Sequence, residues 1–411
     1  MKKKIDVMFL GGLFPKEIEN EIIDNSKKNV QNAANTLQWA ILEGLNFHLN
    51  GNLFVLNSMY IGSFPILYKK PFIKDFYFYE GISTKNNSFN SGFINLPVYK
   101  QLSRYNNLKK EVTKWINNSE NKKIVIAYAM TITFTKLLKY IKKLDGNIIT
   151  CLIVPDLPQF MNVNGKAVYK ILKNFEIEEI NKDLEYIDKF VILTEAMKDV
   201  LDIDKEFTVI EGIAPVIKKK KVGNFEKIIN KTILYSGGIE KEYGVIDLIE
   251  GFINAKNSEE WTLVLCGSGS MVDEVKKRTE SIPNINFLGL IPREEVLQIQ
   301  ESASLLVNPR NNDNEFVKYS FPSKTLEYMS SGTTLLGFKL DGIPSEYNQY
   351  MYLIDDYEFS IQKAFEYIFE INPKDLIALG LKAKSFVENE KNPIFQTKKI
   401  IDFLNGSIYE N

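Results

Sequence analysis

Apolar residues in the first half of the chain gather into short unbroken runs, separated by stretches in which they recur every three or four positions. The run IDVMFL (5–10) predicts a buried strand that ends at Gly11-Gly12. NVQNAANTLQWAILEGLNF (29–47) has the spacing of a helix with one buried face, and NLFVLNSM (52–59) predicts the next strand. A long aromatic-rich segment of weak periodicity follows. KKIVIAYAM (122–130) predicts a strand, TFTKLLKYIKKL (133–144) an amphipathic helix, and NIITCLIVPDLP (147–158) a strand ending in a proline-bracketed loop. DKFVILTEAMKDVL (188–201) predicts one more strand and helix.

The alternation lapses over IAPVIKKKKVGNFEKIIN (213–230), which reads as a linker with a solvated lysine run, and then restarts. Strands are predicted in 231–238, 261–270, 285–290, 304–310 and 333–338, and helices in 247–255, 271–280, 293–302 and 322–332. Val/Ile/Leu runs alternating with helices indicate parallel strands covered on both faces. The expected class is therefore α/β, with two doubly wound, Rossmann-like domains over 1–212 and 231–391 joined by the 213–230 linker. An amphipathic helix in 392–405 opens the tail 392–411, which is expected to cross back to the first domain. In such sheets ligands bind at the carboxyl ends of the strands, where loops and helix N-termini converge. Two domains of this kind are expected to face a common cleft.

Composition narrows the chemistry. With 411 residues, 45% hydrophobic and 25% charged, the chain has the make-up of an ordinary globular protein. No apolar run approaches a membrane span, and the basic N-terminus runs into Gly-Gly too soon for a signal peptide. Two distant cysteines, Cys151 and Cys266, read as reduced core thiols, and together these features predict a cytoplasmic protein. One histidine, His48, in a helical pattern argues against a His-rich metal site or a Ser-His-Asp triad. No paired-aspartate loop suggests an obligatory metal. Residues 51–150 carry 15 Lys/Arg against 5 Asp/Glu, whereas 151–411 carry 30 against 41, so one region is cationic and the rest anionic, which argues for two partners or surfaces of different character.

Candidate binding residues fall at the predicted strand ends. Gly11-Gly12, Gly237-Gly238 and Gly267-Ser268-Gly269 would let backbone approach a phosphate or sugar, although each could equally be a tight turn. In KYSFPSKTLEYMSSG (318–332), Pro322 presets a helix start, Ser320 or Ser323 can cap it, and Gly332 ends it. The free amides there favour an anion. Lys324 and Glu327 share a face, suited to a diphosphate and a ribose, or alternatively to a surface ion pair. Arg310 adds a second cation nearby.

From Lys231 to about Glu346 the chain resembles the donor domain of retaining GT-B glycosyltransferases of the family 4 type. The matching segments are ILYSGGIEKEYGVIDLIEGF, WTLVLCGSGS, INFLGLIPREEVLQIQESASLLVNPR and YSFPSKTLEYMSSGTTLLGFKLDGIPSE, in order. The last is similar to the variant found in bacterial capsule and exopolysaccharide transferases. The first half agrees in architecture, in VPDLP and in VILTEAMKD.

The resemblance implies a GT-B fold and transfer, with retention, from a nucleotide diphosphate sugar, UDP-sugar being favoured. The acceptor would be a glycan or lipid-linked glycan. It places Glu327 on the ribose hydroxyls, the region after Gly289 beside the base, and Gly11 and Gly12 near the donor. Four positions depart from the family pattern: Tyr319 for an acid, Gly238 for an arginine, Tyr243 for a lysine, and Pro155, beside Asp156, for a histidine. Arg310, Lys324 and Lys241 are expected to replace the missing cations, with the backbone N–H groups of Ser320 and Phe321 available to the donor. Tyr319 and Asp156 are the candidate catalytic residues, and Asp313 and Glu315 possible stand-in acids. These departures also suit a non-catalytic accessory partner of a true transferase; an epimerase of related fold fits the 324–327 pattern less well.

The basic region, including Lys69, Lys70, Lys74, Lys100, Arg104, Lys109, Lys110 and Lys123, is interleaved with Phe72, Phe76, Tyr77, Phe78, Tyr79, Phe89 and Phe93. No nucleic-acid motif accompanies it. It suits peripheral contact with the anionic inner face of a membrane, or an ordinary lysine-rich surface with the aromatics in the core.

Overall fold

A computed structural model describes residues 5–27, 30–49, 52–79, 88–160, 167–202, 204–214, 230–354 and 360–409. The chain divides into two compact units, Met1–Ile213 with Pro393–Asn411, and Ala214–Asn392. Most of the 213–230 segment, including its lysine run, lies outside the described residues.

The first unit is built on β1 (Ile5–Gly11), β2 (Leu53–Asn57), β3 (Phe72–Ile73), β4 (Phe76–Phe78), β5 (Ser88–Asn90), β6 (Phe93–Ile94), β7 (Lys122–Tyr128), β8 (Ile149–Val154), β9 (Lys189–Ile192) and β10 (Glu206–Val209). Eight of these form one sheet in the order β10-β9-β8-β7-β1-β2-β5-β4, parallel except for the antiparallel β4–β5 edge. β3 and β6 form a separate antiparallel pair. Its helices are α1 (Glu19–Asn25), α2 (Asn32–Leu49), α3 (Tyr99–Ile116), α4 (Ile132–Leu144), α5 (Ala167–Asp183) and α6 (Met197–Leu201).

The second unit carries β11 (Thr232–Ser236), β12 (Thr262–Cys266), β13 (Ile285–Gly289), β14 (Leu305–Asn308), β15 (Thr334–Phe338) and β16 (Tyr352–Ile354). Their order, β13-β12-β11-β14-β15-β16, is parallel throughout. Helices α7 (Val245–Asn254), α8 (Val272–Thr279), α9 (Arg293–Ser302), α10 (Ser323–Ser331), α11 (Ser360–Phe369) and α12 (Pro373–Glu390) accompany it.

The last helix, α13 (Pro393–Tyr409), belongs to the first unit. It closes on α2 because Gly44 leaves room: a Cβ there would lie 2.0 Å from the Thr397 hydroxyl and 2.2 Å from the Pro393 carbonyl oxygen. Ile400 and Leu404 enter the same core as Ile41 and Leu45. His48 takes a structural place in this contact, its Nε2 lying 2.8 Å from the Ile394 carbonyl oxygen. Both cysteines are free and buried, and burial pushes the Cys151 thiol up to about 12 and Cys266 up to about 11.

The weakly periodic segment after β2 holds more structure than its pattern suggests. It contains four short strands and the 18-residue α3. Phe78 and Phe93 are core residues, whereas Phe72, Tyr77 and Tyr79 are exposed. Arg104 and Lys123, read as surface cations, are buried. Lys123 turns its ammonium onto the carbonyls of Ser119 and Asn121, and Arg104 faces a cavity.

Candidate functional site

In the second unit three strand-end loops are tied edge to edge. The Gly237 amide donates to the Cys266 carbonyl (3.0 Å), Ile239 to Ser268 (2.9 Å) and Gly267 to Gly289 (2.8 Å). Glycine is required here by crowding. Gly267 has φ +147°, and a Cβ on it would fall 1.8 Å from the Gly237 carbonyl oxygen.

Helix α10 starts beside these loops. The helix starts at Ser323 and its stop, Gly332, has φ +78°. No side chain caps its N-terminus, contrary to the expectation for Ser320 or Ser323. The Ser320 hydroxyl is taken by Arg310 Nη2 at 3.1 Å, and the Ser320 amide donates to the Val317 carbonyl at 3.2 Å, so that amide is not free for a ligand. Phe321 is a core residue whose ring packs on Tyr347.

Glu327 stands one turn into α10 with its carboxylate mostly covered. Its Oε1 accepts from Lys324 Nζ at 2.7 Å and from Gln300 Nε2 at 2.8 Å, and Arg293 lies 3.3 Å from Oε2. Burial alone would raise its pKa, but Lys324, Gln300 and Arg293 together hold it below the ordinary carboxylate range. Gln300 is completely buried in α9 and also donates to the Ser236 hydroxyl at 3.0 Å. The Tyr328 hydroxyl accepts from the Ser236 amide and donates to the Ser236 carbonyl. Glu327 is thereby tied to the end of β11. Gln300 was not legible as a site residue, because REEVLQIQES reads as a polar helix face and only the sheet behind it makes that glutamine buried.

Arg310 leaves β14 towards the first glycine loop. Its guanidinium lies 5.6 Å from the Tyr243 ring centre and 4.6 Å from that of Phe316, and Nε is buried without a partner. Desolvation lowers its pKa, and the facing Tyr243 and Tyr235 partly offset this. Tyr235 also donates to the Gly238 carbonyl at 2.7 Å, and the Tyr243 ring fills the side where a Gly238 Cβ would project. Arg310 therefore reaches the loop that lacks the expected arginine and lysine. Lys241 is exposed in the same turn.

Tyr319 ends the short 3-10 helix Glu315–Tyr319, with the Lys318 ammonium 4.8 Å from its ring centre. Asp313 and Glu315 are exposed and engaged locally, with Asn311 and Lys318. Among the described residues no three His, Cys, Asp or Glu side chains gather as metal ligands do.

The first unit has its own site at the same kind of sheet edge. Gly11 and Gly12, at the end of β1, are buried: the Gly12 amide donates to Gln38 Oε1 at 2.8 Å, and its missing Cβ would lie 2.4 Å from the Tyr60 ring. Tyr60 in turn donates to the Tyr128 carbonyl at 2.6 Å. These tyrosines line a cavity of about 650 Å³ that also receives Lys100, Arg104, Thr131 and Asp156. Asp156 is exposed at its rim, yet the surrounding walls raise its carboxyl above the ordinary range.

Comparison with known proteins gives this geometry a family context. Residues 230–367 match the family described as Glycosyl transferases group 1. The matched segment spans β11 to most of α11 and contains Arg310, Lys324 and Glu327. Over nearly the whole chain the fold is that of sucrose-phosphate synthase from Thermosynechococcus elongatus, at 10% identity and TM-score 0.63, covering 99% of this chain and 100% of that one. The E. coli trehalose-6-phosphate structure bound with UDP-2-fluoro glucose gives 10% identity and TM-score 0.62, covering 97% and 98%. The lipopolysaccharide outer core galactosyltransferase WaaB gives 12% identity and TM-score 0.59, covering 98% and 99%. The fold is GT-B. No curated protein matches the chain in sequence.

Proposed function

We propose that the protein is a retaining glycosyltransferase that moves a sugar from a nucleotide diphosphate sugar, with UDP-sugar favoured, to a glycan or lipid-linked glycan. The observation that carries this is the Glu327 carboxylate, kept ionised and held by Lys324 and Gln300 one turn into the uncapped helix α10, within the segment that matches the group 1 family. Such a carboxylate suits ribose hydroxyls. A diphosphate would draw on Lys324, Arg310 and the α10 dipole, which together stabilise the charge that develops on the leaving group. The anomeric carbon–oxygen bond to that diphosphate breaks as the acceptor oxygen bonds on the same face. The acceptor proton passes to the departing phosphate oxygen, so no protein nucleophile is needed. Asp156 and Tyr319 are assigned to holding sugar hydroxyls.

Contact with an anionic membrane surface through residues 51–150 belongs to the same proposal. It is supported by the exposed Phe72, Tyr77 and Tyr79 and the exposed Lys69, Lys70 and Lys74. Among the described residues no helix is long and apolar enough to cross a membrane.

The test is a thermal-shift screen with UDP, GDP, CMP and their sugars, followed by donor turnover and NMR of the product's anomeric proton. UDP or another nucleotide is expected to raise the melting temperature. No shift with any of them would sink the transferase reading, and an inverted product would remove the retaining part alone. Liposomes containing anionic lipid are expected to co-sediment the protein at low salt.

A further inference from the structure

Burial of a charge without a counter-charge is costly, and the first unit does this at the wall of an open cavity. Arg104 is 4% exposed. Its Nε and Nη2 donate to the Ser58 hydroxyl (2.9 Å) and carbonyl (2.7 Å), and its guanidinium lies among the rings of Tyr60, Phe93 and Phe134. Among the described residues no carboxylate pairs with it. One turn earlier on α3, Lys100 lines the same cavity, and among the described residues its hydrogen-bond partner is the Ile61 carbonyl. Two cations therefore share one half-enclosed space, and Arg104 disfavours the charged form of Lys100. Desolvation and the neighbouring Arg104 bring Lys100 down to about 7.

Asp156 and Pro155, following β8, line the same cavity together with Tyr60 and Tyr128. Asp156 acts electrostatically on Tyr128. The cavity thus holds two cations and an acid able to accept from a hydroxyl.

We infer that this cavity takes an acceptor bearing an oxyanion, a phosphoryl or carboxylate group held between Lys100 and Arg104, with its hydroxyl-bearing part towards Asp156. The inference rests on the transferase reading for the word acceptor, but not for the binding itself. An oxyanion supplies the counter-charge that Arg104 lacks and offsets both effects that discharge Lys100. A neutral sugar does neither. The volume, about 650 Å³, admits a monosaccharide with such a group.

The experiment is calorimetric titration of the full chain with glucose 6-phosphate, glucuronate and farnesyl phosphate, against glucose and farnesol as neutral counterparts. At least one anionic probe is expected to bind where its neutral counterpart does not. Preference for farnesyl phosphate would assign the oxyanion to a lipid carrier, and preference for the soluble probes to a free sugar acid or phosphate. Lys100→Met is expected to weaken the binding by about tenfold, the scale of one charged hydrogen bond. Arg104→Gln should weaken it further; because that residue also braces Ser58, Lys100→Met is the deciding variant. Equal binding of anionic and neutral probes, or unchanged anion affinity in Lys100→Met, overturns the inference. UDP titration in the same samples separates the two readings. UDP binding without anion preference overturns this inference and leaves the transferase standing, whereas anion preference without nucleotide binding does the reverse.

Discussion

The two units build their sites on the same framework but leave them in opposite electrostatic states. In the second, an acid and two cations pair directly: Glu327 is shared by Lys324, Arg293 and Gln300, while Arg310, its Nε without a partner, rests on Ser320 and two rings. In the first, Arg104 and Lys100 line a cavity in which, among the described residues, their bonded partners are carbonyls and a serine hydroxyl beside aromatic rings, with no carboxylate paired to either. A site whose charges are satisfied internally must exchange those partners for ligand. A site with uncompensated charge gains its partner from ligand, and so discriminates by charge.

Both units nevertheless depend on glycine at a strand end, and this shared feature gives the largest expected effect. Gly267→Ala sets a Cβ 1.8 Å from a backbone oxygen at φ +147°, and should cost about 3 kcal/mol of stability. Gly12→Ala meets the Tyr60 ring, a side chain that can shift as a whole where backbone cannot, and should cost about 1–2 kcal/mol. Chemical denaturation of both variants measures the difference; equal losses would show that Tyr60 is as immovable as backbone.

Glu327→Ala is expected to lower nucleotide affinity by about tenfold to a hundredfold, and Lys324→Ala by about tenfold, by calorimetry. Intact affinity in both would mean that α10 is not the nucleotide helix. The depressed pKa of Glu327 gives this contrast a pH signature. Its stabilising contribution is present above about 4.5 and is lost as pH falls through the lower folded value, so Glu327→Gln should flatten the acid limb of the stability curve.

Gln300→Leu tests whether positioning matters in the paired site. It should weaken nucleotide binding about fivefold and narrow the pH window below about 4.5 over which Glu327 loses its stabilising contribution, since the folded pKa rises when one of the bonds that favour its charge is removed. A loss of stability with no change in that window would make Gln300 only a packing residue.

The smallest effect concerns the unpaired site. Lys100 faces Arg104 on its own helix and Tyr60 after β2, with Tyr128 and Asp156 also lining the cavity. Between pH 7.5 and 9, where glucose 6-phosphate keeps its charge, its affinity should fall a few-fold as Lys100 discharges. Lys100→Met should abolish that slope.

The two units also differed in how plainly the sequence described them. Most strands of both sheets showed in Val/Ile/Leu runs, because parallel strands buried on two faces need apolar residues at every position. Short or half-exposed elements did not: β10, β16 and the four strands near α3 lack such runs. Helix α3 was missed because its buried face holds Arg104 among Leu108, Val112 and Ile116, so the apolar stripe has a charged residue in it. For the same reason Arg104 and Lys123 read as surface cations.

Local chemistry was therefore what the chain determined alone. Pro322, Gly332, Lys324 and Glu327 act within one helix, and their spacing gives a helix with an acid and a base on one face in any fold that keeps it. Contacts between distant segments were decided only by tertiary structure. Gln300 reaches Glu327 because α9 and α10 pack together, Arg310 reaches Tyr243 because Gly244 lies against Pro309, and α3 carries Arg104 against Ser58. Whether a charge is buried and paired depends on what the rest of the chain brings to it, and no window of sequence contains that information.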